Sequence, residues 1–172
     1  MYNFNLLVSH SWGTFGQAKN EIMKFLKEFG DDNPIIEKTS ARGICGVKTR
    51  LKSREVIKKI RDAYKKDPLQ INFAIKWVPA DNWCRSDLNE MKKLIKKIKI
   101  KIKKGEKWGM EVEKRRYTQY HADEIIKELA KGIKEKVDLE HPDKILRIDI
   151  IGENAGISVL RPEEIFSTRK PI

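Results

Sequence analysis

WGMEVEKRRYTQYHADEIIKELAKGIKEKVDLEHPDKILRIDII, residues 108–151, decides the fold of this chain. Trp108, Met110 and Val112 alternate with Gly109, Glu111 and Glu113, the two-residue period of a half-buried strand. Ala122, Ile125, Ile126, Leu129, Ala130, Ile133 and Val137 then recur at helical spacing and predict a helix over 122–137. Asp123 and Glu124 in its first turn and Lys134 and Lys136 in its last suit the helix dipole. Ile145 to Ile151 is a strongly apolar strand. Gly152-Glu153-Asn154 turns the chain into another, Ala155 to Leu160, and residues 161–172 read as a polar tail. Upstream, Ser86 is placed to cap a helix carrying Leu88, Met91, Leu94, Ile95 and Ile98. Beyond Ile98 the alternation of isoleucine with lysine predicts an irregular or extended tail. The order of this half is α-β-α-β-β.

The first 77 residues alternate just as cleanly. Asn3 to Ser9 reads as a strand, and Ala18, Ile22, Phe25, Leu26 and Phe29 form a helical stripe ended by Gly30. Pro34 to Lys38 and Gly43 to Lys48 are short strands. Ser53 is placed to cap a helix with Val56, Ile57, Ile60, Ala63 and Tyr64, and Ile71 to Trp77 alternates as a strand. The order is β-α-β-β-α-β, the split βαβ or ferredoxin-like arrangement. Pro79 to Arg85 breaks the pattern and reads as a linker. The expected architecture is α/β (α+β) with two domains, residues 1–79 and 80–172.

Charge separates the two halves further. The chain of 172 residues carries a net charge of +12. Residues 1–86 and 87–119 each carry +7, and residues 120–172 carry −2. The densest part runs from Lys92 to Lys107, followed by Lys114, Arg115 and Arg116. A localised positive field of this kind suits a polyanion, because each neutralised phosphate releases condensed counterions. An apolar share of 40% is enough for packed cores. No stretch approaches the roughly 20 apolar residues of a membrane span, and Met1 to Val8 lacks the basic n-region and cleavage site of a secretory signal. Two cysteines without paired spacing, Cys45 and Cys84, fit a reducing, cytoplasmic setting.

WGMEVEKRR (108–116), the helix YHADEIIKELAKGIKEKV (120–137), VDLEHPDKILRIDII (137–151) and the closing AGISVL (155–160) together resemble the THUMP domain, an RNA-binding module of tRNA-modifying and related enzymes. Such domains usually follow a ferredoxin-like domain, the role residues 1–77 fit. The resemblance is nearest to stand-alone members, the adaptors of tRNA cytidine acetylation, in which a separate acetyltransferase does the chemistry. It implies tRNA binding at the acceptor stem and single-stranded 3′ end, no intrinsic catalysis, and a separate RNA acetyltransferase or other tRNA-modifying enzyme as partner. Where a capping Ser is frequent in the family, this sequence has His121.

On the residues themselves, the expected RNA-binding set is Arg42, Lys101, Lys103, Lys104, Lys107, Lys114, Arg115, Arg116, Tyr117 and Arg161. Arg forks onto phosphate oxygens and stacks on unpaired bases, and tyrosine rings at 117 and 120 offer a stacking or a packing surface. Trp12 reads as a cover for the core edge. Glu111 and Glu113 point the same way from one strand and read as a solvated face. His10, His121 and His141 have no metal-ligand spacing, and no phosphate loop or dinucleotide fingerprint occurs, so neither metal nor cofactor is expected. Two other functions compete with the adaptor reading: a small RNA-modifying enzyme acting alone, and an rRNA-binding, ribosome-associated protein.

Overall fold

Leu6 and Val8, Cys45 and Val47, and Trp77 all point to one face of a sheet, and this sorting builds the first unit. In a computed structural model, which describes residues 1–169, that unit comprises Phe4–Ala80 together with 163–169. Its elements are β1 (Leu6–Ser9), α1 (Phe15–Glu28), β2 (Ile35–Lys38), β3 (Ile44–Lys48), α2 (Ser53–Lys66) and β4 (Lys76–Pro79). The sheet order is β2-β3-β1-β4, antiparallel throughout, which is the pairing of a split βαβ unit. Ile22, Phe25 and Leu26 of α1 and Val56, Ile57 and Ile60 of α2 bury themselves on it. Each such side chain stabilises the unit by about 1.5–3 kcal/mol.

Three expectations need correction here. The strand expected at Ile71–Trp77 starts only at Lys76, because the Glu21 carboxylate accepts from the backbone N–H groups of Asn72, Phe73 and Ala74 and withdraws them from the ladder. Ser53, expected as a cap, is the first residue of α2 itself. Residues 161–169 do not trail as a polar tail: Phe166 and Ser167 pair with Trp77 and Lys76, and Phe166 enters the first core.

The second unit comprises Met1–Asn3 and Asp81–Pro162. It holds β5 (Asn82–Arg85), α3 (Leu88–Ile98), β6 (Trp108–Arg115), α4 (Ala122–Ala130), β7 (Lys144–Ile151) and β8 (Asn154–Leu160), with the sheet order β5-β8-β7-β6. Strands β6 and β7 are parallel over all eight residues, and the other pairs are antiparallel. Met91, Ile95, Ile98, Ile125 and Leu129 from the helices meet Leu146, Ile148, Ile150 and Ile157 of the sheet. Of the stretch expected as a linker, Pro79 ends β4 and Asn82–Arg85 are strand β5, which leaves only Ala80 and Asp81 between the strands. Trp83 lies opposite Gly156, and a Cβ on that glycine would stand 3.0 Å from the indole. Tyr2 packs edge-on against Trp83 at 5.5 Å and bonds through its N–H to Asn154, which draws the first three residues into this unit. Asp87, not Ser86, caps α3, accepting from the Glu90 N–H at 3.0 Å; the Ser86 hydroxyl donates to Gly152 O. Helix α4 is shorter than its stripe because Trp108 claims the chain beyond it. The Trp108 indole and backbone N–H donate to the carbonyls of Glu135 and Lys136, and Asp138 N–H returns to Trp108 O.

One polar cluster lies within this sheet. Arg147 is buried on β7 and donates to both carboxylate oxygens of Asp149 at 3.0 and 2.9 Å and to Glu111 at 3.0 Å. Burial alone would favour the neutral guanidine. The Asp149 charge and the hydrogen bonds that Arg147 donates to both carboxylates outweigh it and hold Arg147 above its ordinary value. Removing Arg147 leaves the Asp149 carboxylate buried and uncompensated, while Glu111 stays exposed to water. Arg147→Ala is therefore expected to cost about 3–5 kcal/mol by denaturant titration, against less than about 1 kcal/mol for Lys97→Ala on the exposed side of α3.

Candidate nucleic-acid interface

The parallel pairing of β6 with β7 sets the geometry of the basic residues. Trp108 lies beside Lys144 at one end and Arg115 beside Ile151 at the other. The seven steps of about 3.3 Å between these eight residues put the ends about 23 Å apart. The expected RNA-binding residues therefore fall into two groups that the fold keeps apart.

Lys101, Lys103, Lys104, Lys107 and Arg161 belong to the end where β6 begins, and all are exposed. This end is partly neutralised. Lys144 donates to Glu106 at 3.0 Å and to the carbonyl of Lys101 at 2.8 Å. The Lys103 backbone N–H, and then Lys144, hold the Glu106 carboxyl below its ordinary range. Lys107 pairs with Asp138 at 3.5 Å.

Lys114, Arg115 and Arg116 mark the other end, where β6 stops and the loop to α4 begins. The register continues this row across the sheet through Ile151 and Asn154 to Arg85. Arg115 bonds to Glu113 at 3.3 Å, and its carbonyl accepts from Gly152 N–H at 2.9 Å. Among the described residues, Lys114 and Arg116 make no ion pair. Arg116 has φ of 57°, the only non-glycine in the left-handed region among the described residues. That conformation costs an L-residue roughly 1–2 kcal/mol, and it turns the chain sharply off the strand.

Two aromatic expectations change. Tyr117 offers RNA no face: it is buried in the second core, and its hydroxyl has no hydrogen-bond partner among the described residues. Burial, and after it the charges of Tyr120 and Asp87, push its phenol up from the ordinary value. Trp12, expected to cover the core edge, is 70% exposed, and the guanidinium of Arg42 lies 4.8 Å from its ring centroid. Glu111 and Glu113 form the solvated face that their spacing predicts, with side chains 47% and 46% exposed, and from it they also pair with Arg147 and Arg115.

The sequence reading missed Arg147 with Asp149. Its signal was two opposite charges two positions apart in the apolar run ILRIDII, which places them on one face of a strand. Neither cysteine is poised as a nucleophile. Burial pushes the Cys45 thiol up to about 12; burial, with Glu90 and Asp87 nearby, pushes Cys84 up to about 11. Among the described residues no cluster of His, Cys, Asp and Glu could hold a metal ion, and no helix is long and apolar enough to cross a membrane.

Comparison with known proteins bears on this unit. The family model of the THUMP domain matches residues 85–160, so the chain carries a THUMP domain there. Among solved structures, PH1313 from Pyrococcus horikoshii Ot3 superposes with a TM-score of 0.64 at 15% identity, over 92% of this chain and 55% of that one. TrmN from Thermus thermophilus gives 0.58 at 14% identity, over 94% and 47%. A 4-thiouridine synthetase in an RNA complex with bound ATP gives 0.47 at 17% identity, over 92% and 42%. The chain thus shares the fold of the first two and spans about half their length. No curated protein sequence matches it.

The two unusual residues of the β6–α4 loop make opposite forecasts. Arg116→Gly relieves the left-handed strain but frees the unfolded chain, so stability should rise by about 0.5–1 kcal/mol while RNA affinity falls. Tyr117→Phe removes an orphaned hydroxyl and should leave stability unchanged or raise it by about 1 kcal/mol, with RNA affinity unaltered. Thermal melts and anisotropy titrations with tRNA check both.

Proposed function

We propose that the chain binds tRNA at the acceptor stem and 3′ end and serves as a non-catalytic adaptor for a separate tRNA-modifying enzyme, a cytidine acetyltransferase, in the cytoplasm. The observation that carries the RNA-binding part is the THUMP domain with Lys114, Arg115 and Arg116 at the end of its strand β6. Arg115 is fixed in the ladder and Arg116 is turned off it, so both guanidinium groups start from a held backbone. An arginine loses less freedom per hydrogen bond than a lysine and can stack as well as pair. The lysines of α3 sit on an exposed helix surface, where Lys92 and Lys93 already meet Glu128 and Glu90.

The adaptor role rests on the resemblance to the adaptor group, and burial pushes both of this chain's thiols up, away from nucleophilic use. In this reading the acetyl donor and the chemistry belong to the partner, and this chain supplies affinity and register on the tRNA.

The test is an anisotropy series with tRNA at one salt concentration. Arg115→Ala with Arg116→Ala should weaken binding by about 2–4 kcal/mol, and Lys96→Ala with Lys97→Ala by about 1 kcal/mol or less. With roughly five phosphate contacts, log K should fall against log salt with a slope of about −4. Equal losses for the two pairs would move recognition to α3. A modified nucleoside, found by mass spectrometry after incubating tRNA and acetyl donor with this protein alone, would end the adaptor reading.

A further inference from the structure

We propose that the concave site around Trp12, in the first unit, binds an unpaired nucleotide of an RNA strand by stacking its base on the indole. The inference rests on the RNA-binding reading above but uses none of the residues of β6. An indole offers a large apolar surface, and in a loop next to a core it normally buries it. Trp12 does not: it is 70% exposed.

The loop that carries Trp12 is held in place. The Ser11 carbonyl accepts from the Thr14 hydroxyl at 2.6 Å, from the Thr14 N–H at 3.2 Å and from His10 Nδ1 at 2.9 Å. The His10 N–H donates to Gly43 O at 2.8 Å and ties the loop to the start of β3. Gly43 has φ of +82°, and a Cβ there would stand 2.9 Å from His10 O and 3.0 Å from Trp12 Cδ1. Glycine thus permits the close approach that sets the indole beside Arg42, the next residue back. An exposed ring on a fixed loop is a stacking platform whose ordering cost is met in folding.

The surroundings select the ligand. The site encloses about 500 Å³ and is lined by Trp12, Phe15, Lys38, Thr39, Arg42 and Gly43 among others. Arg42 lies 4.8 Å from the Trp12 centroid and Lys38 5.3 Å from that of Phe15. The Arg169 guanidinium reaches the Ser11 hydroxyl at 3.5 Å. No described carboxylate lines the site. Flat rings beside unbalanced cations match a ligand that is a planar base at one point and a phosphate at the next. A duplex hides its base faces, so the ligand must be single-stranded.

Tryptophan emission reads the site directly. Trp77 and Trp108 are 0% and 1% exposed and Trp83 is half-buried against Gly156, so Trp12 is the most solvent-accessible indole, and the Trp12→Ala variant separates its emission from that of Trp83. Titrating the full chain with a hexa-adenylate RNA should quench the Trp12 component, and a twelve-base-pair RNA duplex should not. Trp12→Ala should abolish the quench and weaken hexa-adenylate binding by about tenfold, while Trp12→Phe, which keeps a stacking ring, should stay within about threefold. Circular dichroism should be unchanged in both variants, because the indole contributes little to the core. Tight tRNA binding with no quench by the hexamer, or equal hexamer affinity in Trp12→Ala, would overturn this site and leave the RNA-binding reading standing. Failure of tRNA and hexamer alike to bind would overturn both. Adenosine monophosphate binding as tightly as the hexamer would make this a mononucleotide site and overturn the RNA strand as its ligand.

Discussion

Parallel pairing of β6 with β7 is the constraint from which the second unit follows. Two parallel neighbours cannot be joined by a hairpin; the chain must cross over the sheet and return. Helix α4 is that crossover, and its buried Ile125 and Leu129 are what the sheet face needs to stay dry. The crossover leaves from the carboxyl end of β6, so whatever ends that strand stands in a loop over the edge of the sheet. The sequence places Lys114, Arg115 and Arg116 there. Open α/β sheets bind ligands beyond the carboxyl ends of their strands for the same topological reason.

The same pairing explains why a basic protein does not present one continuous basic face. Lysines before β6 and cations after it are separated by the length of the strand, and the two ends differ in character. The first is threaded with Glu106 and Asp138 and is already half-compensated. At the second, Lys114 and Arg116 remain without ion pairs among the described residues, and one of them occupies a strained backbone conformation. Strain persists only where the surroundings over-determine it, which is why it marks functional loops more often than inert ones. Between the ends, the buried Arg147, paired with the buried Asp149, reaches the exposed Glu111 and ties β7 to β6 through the face opposite α3 and α4, so the register that positions the cations carries its own electrostatic lock.

Much of this was legible in the sequence. The order of strands and helices followed from apolar periods of two and of 3.6, and those periods are strong wherever an element buries one face. What escaped was whatever depends on a contact far away in the chain. Ile71–Ala74 alternate like a strand, yet Glu21 removes the N–H groups of Asn72, Phe73 and Ala74 from any ladder. PADNWCR looks like a linker because nothing local shows that Gly156 leaves room for Trp83. Phe166 sits in a polar stretch and still closes the first core. Among the binding candidates, composition identified the cations but could not say that 23 or so ångströms of strand divide them. Nor could it distinguish Tyr117, which is buried, from Trp12, which is exposed, since both are aromatic residues next to basic ones.

The central claim is that this chain grips tRNA near its acceptor end. Crosslinking the protein to RNA in its host cells by ultraviolet light, and sequencing what is attached, tests it most directly. The account predicts that tRNA dominates the recovered reads and that the crosslink sites gather in the acceptor stem and the single-stranded 3′ end. Recovery of mainly ribosomal RNA, or of tRNA crosslinked evenly along its length, would contradict it.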